Sequence, residues 1–151
     1  MTETNTFRTF LSSRPGDQAR ATLAAVLLVS VSIGFFIGSF SRVRRYLLWL
    51  CDAFSSIVPG APDPERIVSA VDAADRYVPG HRTCLMRSLT AEALLRLYGF
   101  EPHHRIGVTK EAETDMKAHS WLELHDDVLI GDLEELSRYE PLPSLRMWDQ
   151  L

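Results

Sequence analysis

The segment from Ala21 to Phe40, ATLAAVLLVSVSIGFFIGSF, runs for twenty residues without a single charge. That is about the length a helix needs to cross a hydrocarbon core, so lipid or protein must hide it from water. Ser30, Ser32, Gly34, Gly38 and Ser39 dilute its apolar character and suit close helix–helix packing in either setting. Both placements stay open on the residues alone: a membrane-embedded helix, or the buried core helix of a small protein. Arg42, Arg44 and Arg45 follow directly. In a spanning helix they would hold the rest of the chain in the cytoplasm. A polar lead before the segment, and no small-residue cleavage site after it, speak against a signal peptide.

The whole chain has 151 residues, 46% hydrophobic and 24% charged, enough for one domain of ordinary size with an appendage. A net charge of −4 argues against nucleic acid as a partner, because neutralising phosphates needs a basic field. Cys51 and Cys84 match neither a disulfide framework nor a structural zinc site, and the residues call for no metal or cofactor. Residues 1–17 read as a polar tail and 18–57 as an apolar helical region, in which Val43, Leu47, Leu50 and Phe54 keep helical spacing. Prolines and a glycine between Val58 and Pro64 mark a boundary, so 61–151 reads as the main domain.

Within it, Asp63 and Pro64 suit a helix start, followed by an apolar stripe of Ile67, Val68, Val71 and Ala74. A second helix opens at Cys84, carries Leu85, Leu89, Ala93 and Leu97 at fourfold spacing, and closes at Gly99. His104, Ile106 and Val108 then alternate against Arg105 and Gly107 as in a strand, and KEAETDMK reads as a polar loop. A hairpin follows, with strands from Ala118 to Leu124 and Val128 to Asp132 around a turn at Asp126–Asp127. Helices first and a small antiparallel sheet after them give an α+β domain behind an apolar helical region.

Cys84 is the residue that raises the question of chemistry. On the first turn of a helix a thiol lies beside unpaired backbone N–H groups and the positive end of the dipole, which favour the thiolate. A cysteine nucleophile also needs a base, and a third group to orient that base. His119 lies 35 residues further on, sharing a strand face with Trp121 and Glu123. With a two-residue turn, cross-strand pairing places Asp132 on the His119 face; an odd loop or a bulge would move it away. Glu134, Glu123 and Asp127 stand as substitutes for a different register, and His81 as an alternative base without an orienting partner. His103, His104 and His125 read as solvated edge residues, and Cys51 as packing.

CLMRSLTAEALLRLYGF, then RIGV, then AHSWLEL…VLIGD resembles the transglutaminase-like cysteine proteases of lasso-peptide biosynthesis, specifically the leader peptidase of the split B-type maturation system. The resemblance spans Pro79 to about Asp132. It implies a transglutaminase/papain-like core and a triad of Cys84, His119 and Asp132. It also implies cleavage of the leader from a lasso precursor peptide. Ser120 replaces the alanine usual in A-H-A-W. No leader-binding module is recognisable in the chain, which implies a separate leader-recognition protein; an ATP-dependent lasso cyclase would act next. Arg87 and Ser88, on the Cys84 face of the helix, and Trp121 of the A-H-S-W motif are candidate substrate contacts; an Arg87–Glu92 ion pair is the plainer alternative for the arginine. A transglutaminase-like acyltransferase or amidase on another substrate, and a membrane-anchored scaffold that no longer cleaves, are the rival functions. The implied location is cytoplasmic, with the inner face of the cell membrane as an option.

Overall fold

A computed structural model describes residues 14–112 and 115–143, so most of the expected N-terminal tail lies outside the described residues. Four helices precede an antiparallel sheet, in the α+β order the sequence implies: α1 (Pro15–Ile37), α2 (Phe40–Phe54), α3 (Pro64–Tyr77), α4 (Cys84–Leu97), β1 (His103–Ala112), β2 (Asp115–Leu124), β3 (Asp127–Ile130) and β4 (Glu140–Pro141). A 3₁₀ turn at Leu136–Arg138 precedes β4. The sheet order is β3-β2-β1-β4.

The apolar helix α1 begins at Pro15, whose fixed φ suits a first helical position. One of its stripes (Ala21, Ala24, Leu28, Val31) is buried against α3 and α4. The hydroxyls of Ser30 and Ser32 donate to the Val26 and Leu28 carbonyls at 2.8 and 2.7 Å, so these polar atoms need no outside partner. By length and composition α1 is the one described helix able to cross a membrane. Ala24, Leu28 and Val31 of its buried stripe nevertheless belong to the same core as Leu47, Leu48 and Cys51 of α2, Ile67 and Val71 of α3, and Leu122 and Ile130 of the sheet. Residues on both sides of the Val58–Pro64 break contribute to that core.

Helix α4 is the centre of that core: Ser88 to Leu95 and Leu97 are all buried. Thr83 caps its start, accepting from the Met86 N–H at 3.3 Å. At its end the Phe100 N–H donates to Leu95, so the last turn closes on itself. Strands β1 and β2 extend into the stretch expected to be a polar loop, reaching Ala112 and Asp115. The hairpin turn is His125–Asp126, one residue earlier than expected, and both residues take the left-handed φ (51° and 71°) of a two-residue turn.

Two pairs beyond that turn, the ladder slips. Glu123 pairs with Val128 but Leu122 pairs with Ile130, leaving Leu129 as an extra residue. A bulge of this kind changes the face on which every later residue of β3 falls. Ile130 thereby comes opposite Leu122, and both are in the core with the residues of α4.

Candidate active site

Cys84 is half-buried at the first position of α4. Arg82 braces the loop that delivers it: the guanidinium donates to Asp75 Oδ1 at 3.2 Å, to the Pro79 carbonyl at 3.0 Å and to the Val78 carbonyl. Arg87, one turn into the helix, pairs with Asp72 at 2.6 Å and Asp75 at 3.3 Å, clamping α4 to α3. Its partners are these aspartates, not Glu92. Ser88 is buried and donates to the Ser120 carbonyl at 3.1 Å, which removes it from any surface a substrate could reach. That bond ties α4, one turn after Cys84, to the residue following His119. The thiol and the imidazole make no hydrogen bond with each other among the described residues.

His119 is held from three sides. Its Nε2 lies 2.6 Å from the Gly131 carbonyl oxygen. A carbonyl can only accept, so Nε2 carries the proton and Nδ1 is the basic nitrogen of the neutral ring. Trp121 stacks on one side, with ring centroids 6.2 Å apart and an interplanar angle of 15°. Tyr139 leans on the ring from β4's approach at 5.5 Å. Trp121 is itself buried: its indole N–H donates to Glu123 at 2.8 Å and its ring lies over Gly107, where a Cβ would come within 2.8 Å of it. It therefore buttresses the imidazole and presents little surface to a substrate.

Asp132 is exposed and makes no hydrogen bond to His119 among the described residues. The bulge at Leu129 explains this, because it undoes the parity that the two-residue turn would have given. Gly131 takes the place beside His119, with φ +84° and no room for a side chain: a Cβ would sit 2.6 Å from the Ser120 oxygen and 2.9 Å from Trp121 Cβ. Neither Gly131 nor Tyr139 has a sequence signature that would single it out. A cleft of about 330 Å³, lined by Thr109, Leu133, Glu134, Glu135, Arg138 and Tyr139, shares Tyr139 with the surroundings of His119 but is lined by neither His119 nor Cys84.

A second histidine, His104, is not the solvated edge residue its place in the sequence suggests. His104 is buried, with Nδ1 2.7 Å from Glu92 Oε2 and Nε2 2.7 Å from Ser120 Oγ. Arg44 closes the network on the far side of Glu92, at 2.6 and 3.2 Å. Burial pushes the Glu92 carboxyl up, but hydrogen bonds and charge from His104 and Arg44 outweigh it and hold the group below the usual carboxylate range. The signal was present in the alternation, which puts His104 in phase with Ile106 on the apolar face of β1. Cys51 is buried packing, its thiol pushed up to about 11 by burial and by Asp52. Among the described residues no group of three or more His, Cys, Asp or Glu side chains is placed to hold a metal ion.

No curated protein matches the chain, and no solved structure does. Residues 25–144 do match a family, and the match takes in the second half of α1 and all of α2 as well as the cysteine helix and the sheet. A cysteine at a helix start, a histidine on the neighbouring strand and a continuous helical core thus have one common description: the chain belongs to the transglutaminase-like superfamily.

Proposed function

We propose that the protein is a cysteine peptidase that removes the leader from a lasso precursor peptide. The observation that carries the chemistry is the His119–Gly131 bond, which leaves Nδ1 of the ring free to act as a base on a strand tied to the Cys84 helix. In this reading Nδ1 takes the proton of the Cys84 thiol. The sulfur attacks the scissile carbonyl, and the unpaired N–H groups of the first turn of α4 receive the oxyanion. The imidazolium returns its proton to the departing amine, leaving a thioester on Cys84. Water, deprotonated by the same nitrogen, releases the leader acid and restores the thiol.

The Gly131 carbonyl takes the orienting part of a triad, and Asp132 acts only through its charge. Trp121 and Tyr139 fix the ring, Arg87 fixes the helix, and the cleft beside Tyr139 receives the peptide. The likeness in CLMRSL and AHSW points to the lasso precursor as substrate. It also points to a separate leader-recognition protein that presents that substrate, and to an ATP-dependent cyclase that takes the freed core, all in the cytoplasm.

The test is mass spectrometry of a lasso precursor incubated with this protein and a leader-binding partner. Cleavage at one bond, abolished in both Cys84→Ala and His119→Ala, is the expected result. Cleavage that survives Cys84→Ala would place the chemistry elsewhere, and transfer of the acyl group to an added amine in preference to water would make the protein an acyltransferase.

A further inference from the structure

Helix α1 is apolar on both sides, yet only one side is covered. Opposite the buried stripe of Ala21, Ala24, Leu28 and Val31 runs a second stripe of Val26, Val29, Ile33, Phe36 and Ile37, and Phe36 and Ile37 are 90% and 80% exposed. Helix α2 continues the surface with Tyr46 and Trp49, paired at 6.0 Å and 67% and 62% exposed. An apolar groove of about 600 Å³ separates the two helices. A helix hydrophobic all round belongs in a core or in lipid, and half of this one is in neither.

Charge indicates which kind of cover fits. The chain as a whole carries −4, but residues 14–57 hold five arginines against two aspartates. Two of those arginines, Arg42 and Arg45, are exposed on α2 close to Tyr46 and Trp49. Basic residues next to exposed aromatic rings, flanking an aliphatic face, match an anionic lipid surface. No charged residue lies between Arg20 and Arg42. A docked protein would ordinarily find a polar rim there, and a lipid-facing stripe needs none.

The packing also fixes the orientation. The inner stripe of α1 lies against α3 and α4, and α3 exposes Glu65, Arg66 and Arg76. Standing α1 across a bilayer would draw those charges into hydrocarbon, at about 2.5–3.5 kcal/mol each near its centre. We infer that the α1–α2 hairpin does not span a membrane but lies in the plane of an anionic one, with Phe36, Ile37 and Trp49 inserted and Arg42 and Arg45 at the headgroups. The inference is independent of the chemistry assigned to Cys84.

Flotation of the full chain with vesicles of phosphatidylcholine, with and without phosphatidylglycerol, tests it. Binding is expected with the anionic vesicles. It should weaken about tenfold in Phe36→Ser, which removes one inserted aromatic side chain from an already exposed position, and weaken with salt in parallel with Arg42→Gln/Arg45→Gln. Trp49 emission should shift to the blue and be quenched by bromines placed near the headgroup. Quenching of Trp49 only by bromines at the bilayer centre would overturn the in-plane orientation. A chain that ignores both kinds of vesicle would overturn the inference, and Phe36-dependent dimers or a Phe36-dependent complex with the leader-binding partner would then identify the true cover.

Discussion

Two histidines on adjacent strands of one sheet have opposite surroundings. His104 has what a catalytic imidazole is usually given, a carboxylate on one nitrogen and a hydroxyl on the other, each at 2.7 Å. It is also sealed from solvent, with its carboxylate clamped by Arg44. His119 has a single backbone carbonyl, two aromatic neighbours, a second nitrogen with no hydrogen bond among the described residues, and a half-buried position open to solvent. A Ser–His–Glu arrangement without access is a structural bolt, whereas a sparsely bonded ring with access can move a proton. Hydrogen bonds that are all satisfied stabilise a fold; reactivity needs one left open.

The comparison can be broken most severely at Glu92. Glu92→Ala takes the carboxylate away from buried Arg44 and His104 and should destabilise the fold by about 3–5 kcal/mol in urea unfolding. The joint replacement Arg44→Met/Glu92→Leu should recover part of that, because no buried charge is left unpaired and only His104 Nδ1 loses its carboxylate. If Glu92→Ala unfolds like the wild type, the network is not holding the core. Gly131→Ala comes next. Its φ and the contact with Ser120 should cost about 1–3 kcal/mol and displace the carbonyl that orients His119, so turnover should fall more than stability accounts for. Asp132→Asn should change turnover by less than about tenfold. A collapse of activity in Asp132→Asn with Gly131→Ala intact would restore the carboxylate as the orienting group.

The smallest effect is in the pH dependence. The folded-state pKa of Glu92 is depressed. Its contribution is therefore complete above the unfolded carboxyl value, about 4.3, and is lost as pH falls through the lower folded value. Stability measured from pH 6 downward should drop in that acid range, and the drop should be shallower in Glu92→Gln. Equal slopes would mean that other carboxylates govern acid unfolding.

Much of this was legible in the sequence, and the parts that were not have identifiable causes. The fourfold apolar spacing behind Cys84 and the closing Gly99 give the helix from local rules alone. The AHSW strand and its hairpin follow from alternation. Asp132 escaped because a single unpaired residue, Leu129, reverses the parity of the strand, and no local signal marks a bulge. His104 escaped for a different reason: its phase on β1 was apolar, but its partners Glu92 and Arg44 come from helices distant in sequence. The role of α1 could not be read from composition, since the same twenty uncharged residues serve a core stripe on one side and an open face on the other.

The central claim is that His119 activates Cys84, and the rate of Cys84 alkylation by iodoacetamide tests it without knowledge of any substrate. Followed by peptide mass spectrometry at neutral pH, Cys84 should be modified while buried Cys51 stays untouched, and His119→Gln should slow modification of Cys84 by at least about tenfold. Equal rates in the wild type and His119→Gln, with both proteins folded, would contradict the account.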